Sequence, residues 1–210
     1  MPPFITFEGI DGSGKTTQIR RLESYLTSKN VKVLVSREPG GTQVGEAVRQ
    51  ILLHSQTTRL RPVSELLLYY ASRHQNLHEV ILPALSSGAW VLCDRYADAS
   101  MAYQGFGREL GADLIDQLNR LAIEDRMPDM TFLIDIDPRI GLDRARQRNS
   151  ATNVDEGRFE KESLSFYQRV REGYLSIAAK DPRRVFVLDG TQPVDQIHDR
   201  IVQHLLPLCP

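Results

Sequence analysis

Cysteine is close to absent from this chain, with Cys93 inside the apolar run Trp90 to Asp94 and Cys209 next to the last residue. Neither sits at the spacing of a metal-binding or redox pair, so a disulfide framework and a thiolate metal site are excluded. A buried thiol and a terminal thiol are expected. Apolar runs are short, and none approaches the roughly 20 residues that a bilayer-crossing helix needs. The first residues pass directly into a β-prone segment without the charged start and small-residue cleavage site of an export leader. A soluble, cytoplasmic protein is the expectation. An excess of one charge is missing too. Lys and Arg number 26 against 27 Asp and Glu, for a formal net charge of -1, which removes any bulk attraction to nucleic acid or to an anionic membrane. There is no internal repeat and no long low-complexity segment, so a second domain has no support.

What remains is a chain of 210 residues, 41% hydrophobic and 25% charged, enough to bury one substantial core as a single domain over 1–210. Five short apolar runs read as buried strands: 4–8, 31–36, 90–94, 130–135 and 185–188. Helical patterns occupy 15–29, 44–54, 63–87, 112–125, 138–148, 156–180 and 193–206. Alternation of this kind predicts an α/β fold, a five-stranded parallel sheet with helices on both faces joined by right-handed crossovers. Ligands then gather at the carboxyl ends of the strands. The chemically suggestive residues lie there: 11–16 after the first strand, Arg37, Glu38 and Pro39 after the second, and Asp94, Arg95 and Tyr96 after the third.

The most specific of these segments is Gly9, Ile10, Asp11, Gly12, Ser13, Gly14, Lys15 and Thr16. It fits the phosphate-loop pattern of glycine, four variable residues, glycine, lysine, then serine or threonine. The glycines let successive N–H groups cradle phosphate oxygens, Lys15 reaches the terminal phosphates, and the Thr16 hydroxyl suits Mg²⁺. The strand before it and the helix after it, with Ile19, Leu22 and Leu26 at helical spacing, supply the required context. A phosphate loop alone does not separate motors, switches and kinases. Asp94 ends an apolar strand, where an acid holds Mg²⁺ directly or through water, and Arg95 beside it neutralises phosphoryl oxygens. The same pair would also serve as a structural salt bridge.

Tyr69 and Arg73 lie four apart on one helix, hence on one face, and such a pair stacks on a base and grips a phosphate. Equally, Tyr69 fits a core position, because Leu66, Leu67, Leu68 and Tyr70 surround it. Ser100, Tyr103 and Gln104 follow the Asp94–Arg95 pair in a polar, glycine-bearing stretch, and the Gln104 amide suits a base edge or an exposed loop. The polar segment 149–157 reads as a lid or as a plain surface loop. Arg144, Arg146 and Arg148 precede it and Arg158 follows, so a lid over about 144–158 brings positive charge to a reacting centre and excludes water.

At these residues the chain resembles the bacterial thymidylate kinases, phosphate-loop nucleoside monophosphate kinases that convert dTMP and ATP to dTDP and ADP. The likeness is collinear over essentially the whole length, through residues 7–17, 37–42, 70–73, 94–96, 102–105, 128–133 and 189–193. The resemblance implies ATP on Gly9 to Thr17, with Arg148 stacking on adenine and the loop 189–193, including Gln192, lining the adenine pocket. It implies that Arg49 and Arg73 hold the dTMP phosphate, that Tyr69 stacks on thymine, and that Ser100 and Gln104 meet the base edge. Tyr103 would crowd a ribose 2′-hydroxyl. Asp11 and Glu38 would lie by the sugar and acceptor phosphate with magnesium close by, Arg158 belongs to the lid, and a homodimer follows. Tyr69 stands where phenylalanine is common in the family, and its hydroxyl needs a partner or water. Lys15, Arg95, Mg²⁺ and a lid arginine then stabilise the transferring phosphoryl group, and no general base is required because the acceptor oxygen is already anionic. Two other readings share some of these motifs. A deoxynucleoside kinase would use Glu38 as a base on a sugar hydroxyl, but it gives Arg49 and Arg73 no phosphate to hold. A nucleotide-binding switch usually carries Asn-Lys-x-Asp, which is lacking.

Overall fold

The alternation of the strand side chains decides how the layers stack. In β1 (Phe4–Glu8), Ile5 and Phe7 point to one face and Phe4 to the other. β3 (Trp90–Asp94) repeats this with Trp90 and Leu92 against Val91 and Cys93, and β4 (Met130–Asp135) with Phe132 and Ile134 against Leu133. All of these side chains are buried, so both faces of the sheet have to be covered. The structure, a computed structural model, describes residues 2–54, 60–124, 126–152 and 158–206, with the side chains of 148–152 and 160 outside it.

Five parallel strands run in the order β2-β3-β1-β4-β5, β2 being Val33–Arg37 and β5 Val185–Asp189. On one face lie α1 (Lys15–Ser28) and α9 (Val194–Leu205), contributing Ile19, Leu22, Leu26, Ile197 and Ile201. The other face carries the helices between β2 and β4, together with α8 (Leu164–Lys180). Cys93 is a buried free thiol, as its apolar run predicts, and Cys209 lies outside the described residues. Among the described residues no helix is long and apolar enough to cross a membrane.

The helical span expected at 63–87 is three pieces: α3 (Pro62–Asn76), a π turn (Leu77–Ile81) and α4 (Leu82–Ser86). Pro83 explains the break, because it has no N–H to offer the preceding turn and its ring crowds the carbonyl four residues back. The chain widens ahead of it, and the Leu82 N–H donates to Leu77 O. Helix α2 (Gln43–Leu53) matches its expected span and is capped by Thr42, whose hydroxyl accepts from the Gly45 N–H. The span expected at 156–180 is instead a 3₁₀ turn at Phe159–Lys161 followed by α8, whose start is set by the Ser163 hydroxyl accepting from the Phe166 N–H. Helix α7 (Pro138–Thr152) runs further than the expected 138–148, into the first part of the arginine-flanked polar segment. Residues 153–157 lie outside the described ones.

The glycine-bearing stretch after Tyr96 is also a helix. Ala97–Ser100 (α5) leads into a π turn over Met101–Gly107, which carries Tyr103 and Gln104. Gly107 is a packing position, because a Cβ there would come within 2.7 Å of the Phe166 ring and 2.8 Å of Val170 on α8. The missing side chain lets this segment lie against α8 and fixes Tyr103 beneath it. Helix α6 (Ala112–Ile123) packs on α3 through Ile115 and Ala122.

Candidate active site

A cleft of about 950 Å³ opens at the carboxyl ends of β1, β2 and β3. Along one end runs the loop after β1. Gly12 there has φ 76°, and a Cβ at that position would lie 2.1 Å from the Gly141 carbonyl, so the loop closes only with glycine. The Lys15 ammonium donates to Gly9 O and Ile10 O, each at 3.0 Å. Burial, followed by the nearby Arg95 charge, lowers its pKa to about 8. Thr16 Oγ1 donates to Asp94 Oδ2 at 3.2 Å, and both residues, with Thr17, face the cleft. Hydroxyl and carboxylate together form the hard oxygen set that suits Mg²⁺.

Arg95 sits between the loop and the opposite wall. Its φ of 70° is in the left-handed region, and its guanidinium donates to Gly9 O, Tyr174 OH, Asp11 Oδ1 and Tyr103 OH at 2.8 to 3.1 Å. Tyr174 in turn donates to Glu8 Oε2 at 2.7 Å, and Glu8 Oε1 accepts the Tyr96 N–H at 2.7 Å. Glu8 therefore braces the strained turn from below. Its own pKa is raised to about 7, by burial first and then by Asp98. Tyr167 OH donates to Asp11 Oδ2 at 3.1 Å, so both Asp11 oxygens are engaged.

The far end is built from α2, α3 and the α5 region. Arg49, Tyr69, Ser100, Tyr103 and Gln104 line it, and Glu38 joins them from the end of β2. Tyr69 is half-buried on the cleft wall, whereas Tyr70 is buried and donates to Asn119 Oδ1 at 2.8 Å, so the neighbours divide between cleft and core. Arg73 is 1% exposed and lies behind the lining residues. It donates from Nε to Glu38 Oε2 at 2.6 Å, from one terminal nitrogen to Ser100 Oγ at 2.9 Å, and from the other to Tyr96 O at 2.8 Å. Asn76 Nδ2 donates to Glu38 Oε1 at 3.2 Å. Burial raises the Glu38 pKa, and Arg73 opposes that rise. Arg49 donates to Pro39 O at 2.9 Å.

Arg158, expected over the phosphates as part of the lid, is found elsewhere. It donates to Leu52 O and to Glu65 Oε2, and its guanidinium lies 4.7 Å from the Phe159 ring centroid. Of the arginines proposed for the lid, Arg144 lines the cleft and donates to Gly190 O at 3.2 Å. The Arg148 side chain is outside the described residues. Gln192 lines the cleft near the phosphate loop and is tied to Asp189 by Nε2 to Oδ2 at 2.9 Å. Gly9 and Ile10 serve through their carbonyls, as described for Lys15.

A family model described as Thymidylate kinase matches residues 7–201. The chain belongs to the thymidylate kinase family. A thymidylate kinase of Geobacter sulfurreducens is 49% identical over 208 residues, 99% of this chain and 98% of that protein. One from Pelobacter propionicus is 48% identical over 204 residues, covering 97% and 93%. The crystal structure of thymidylate kinase from Ehrlichia chaffeensis is similar with a TM-score of 0.78 at 39% identity, covering 97% of this chain and 98% of that one.

Two site residues escape a motif-by-motif reading of a thymidylate kinase sequence. Glu8 directly precedes the phosphate loop, and its signal is an acid closing an otherwise apolar, fully buried strand. Glu65 stands one helical turn before Tyr69 and two before Arg73, on the same face of α3.

Proposed function

We propose that the cleft seats ATP over residues 9–17 and dTMP against α2, α3 and the α5 region, and passes the γ-phosphoryl group in line to the dTMP phosphate. The observation that carries this is a single cleft with the phosphate loop at one end, Arg49, Tyr69, Ser100 and Gln104 at the other, and Arg95 between them. Phosphoryl transfer needs position and positive charge more than it needs a covalent catalyst. Lys15 leaves its loop carbonyls for the terminal phosphates, and Arg95 neutralises the charge between the two substrates. Thr16 and Asp94 would hold Mg²⁺, which supplies further charge neutralisation at the phosphates. Arg158 moves to the phosphates on lid closure, and Arg148 and Gln192 contact adenine.

At the far end Arg49 meets the dTMP phosphate from the front. Arg73 adds its two remaining N–H groups from behind, oriented by Glu38. Tyr69 stacks on the base, Ser100 and Gln104 read its edge, and Tyr103 crowds the 2′ position. Asp11, held by Arg95 and Tyr167, faces the sugar. Glu38 has both oxygens engaged, by Arg73 and Asn76, which suits an orienting role better than that of a base in a deoxynucleoside kinase. The whole is read as one kinase unit with a lid over 144–158. Exposed Leu67 on α3 and Leu121 on α6, two helices that pack together, support a homodimer through that face.

Coupled measurement of ADP release with dTMP, dUMP, thymidine and no acceptor tests the reading. Release that requires a phosphorylated pyrimidine deoxynucleoside is expected; release with thymidine, or without acceptor, would reject it.

A further inference from the structure

The Glu65 carboxylate is 1% exposed yet collects donors from three residues. Gln104 Nε2 donates to Oε1 at 2.9 Å, Arg108 donates from Nε to Oε1 at 3.2 Å and from a terminal nitrogen to Oε2 at 3.0 Å, and Arg158 donates to Oε2. Burial works against its charge, but the hydrogen bonds and charge of Arg108, with Arg158 and Gln104, hold its pKa below the ordinary value. An ionised carboxylate accepts and never donates. Only one of the two faces of the Gln104 amide, the NH₂, therefore suits Glu65, and the amide cannot turn over without setting oxygen against oxygen. Gln104 is itself 1% exposed and lines the cleft. Among the described residues no donor is bonded to its Oε1. With its NH₂ held by Glu65, the amide leaves that oxygen on offer to the cleft, where a ligand that brings a donor is favoured.

We propose that Glu65 is a positioning residue that presents Gln104 to the base as an acceptor, so that this end of the cleft takes a pyrimidine with hydrogen on N3 and rejects cytosine. Thymine and uracil carry a donor at N3, while cytosine offers a lone pair there and meets the Gln104 oxygen with repulsion. The inference rests on the reading of the far end as the dTMP subsite, and it gives that subsite a specific chemical filter. It also gives a role to an acid buried behind the wall of a cleft meant for an anion. Its charge is consumed by Arg108, which spans both oxygens, and what reaches the substrate is the orientation of an amide.

The substitution Glu65→Gln has a directional consequence. Arg158 and the Arg108 terminal nitrogen both bond Oε2 and are donors only, so the carbonyl of the new amide takes that place; its NH₂ takes the place of Oε1 and faces Gln104, and the 3.2 Å bond from Arg108 Nε is given up. Gln104 then turns its own carbonyl inward and its NH₂ to the base. The experiment measures kcat/KM for dTMP and for dCMP by ADP release in the unaltered protein, in Glu65→Gln and in Glu65→Asp. The dTMP to dCMP ratio is expected to fall by about tenfold or more in Glu65→Gln, and because both acceptors share the ATP site, any change there cancels from the ratio. In Glu65→Asp, which keeps the charge but withdraws the carboxylate, the fall is smaller. A loss shared equally by both pyrimidines, leaving the ratio intact, marks a merely structural role and overturns the proposal. If Glu65→Gln does not fold, the ratio in Glu65→Asp decides in the same way. Absence of dTMP-dependent ADP release in the unaltered protein would instead bring down the functional reading and this inference with it, whereas an unchanged ratio in active variants removes only the filter.

Discussion

At the phosphate-loop end of the cleft, one contiguous segment does most of the work through its backbone, with Gly9 O and Ile10 O holding Lys15 and glycine conformations shaping the loop. At the far end the wall is assembled from side chains on β2, α2, α3 and the α5 region, tied by ion pairs such as Arg73 with Glu38. The first kind of site is set by local chain geometry and tolerates change elsewhere in the molecule. The second depends on long-range packing, so its residues are coupled to stability as well as to binding. Substitutions at the two ends should therefore fail differently.

Lys15→Ala tests the local end most severely. Turnover should drop by about 10³-fold or more, by analogy with other cations that face a transferring phosphoryl group, while the thermal midpoint moves little. ADP release and a melting curve on the same sample check both halves, and near-normal turnover would refute the loop assignment. Arg73→Ala should expose the contrast. It leaves Glu38 buried without its counter-charge, which costs about 3–5 kcal/mol of stability, and it should raise KM for dTMP well above any change for ATP. A purely kinetic defect, or an equal effect on both substrates, would count against the scheme. Arg49→Ala is the control, because Arg49 lines the cleft and should affect dTMP binding with little loss of stability.

The pH profile separates the ends without mutation. In the free protein Lys15 has its pKa lowered to about 8 by burial and Arg95, so its charge is present below that pH and lost above it. The kcat/KM for ATP should then fall about tenfold per unit on the alkaline side of 8. A flat profile to pH 9.5 would mean that Lys15 remains charged in the free cleft. The mildest change expected is in Tyr103→Ala, which should raise acceptance of the ribonucleotide relative to dTMP by about tenfold. Unchanged selectivity would remove the steric role of Tyr103.

The same contrast governs what was legible beforehand. The five strands were readable because buried parallel strands are short apolar runs, and the phosphate loop because its chemistry is carried by residues adjacent in the chain. The helix over 97–107 was not readable. Gly105 and Gly107 look like turn residues, and only the presence of α8 shows that Gly107 makes room for the Phe166 ring. Tyr69 could not be assigned to cleft or core from spacing, since Tyr70 beside it has the same character and is buried. The family resemblance named most of the far wall, but the standing of Arg73 behind it and the convergence of three residues on Glu65 are properties of packing across long sequence separations.

The sheet register acts as a ruler. Asp94 is paired with Phe7 on one side and with Arg37 on the other, so the start of the phosphate loop, Arg95 and Glu38 leave three adjacent strands side by side. Neighbouring strands are held about 4.8 Å apart by their hydrogen bonds, which puts the outer two roughly 10 Å from each other with Arg95 midway. That interval cannot stretch for a longer pair of guests. Any reshaping of this cleft for a bulkier acceptor has to come from the helices above, while the gap to be bridged by the migrating group stays fixed by the strands below.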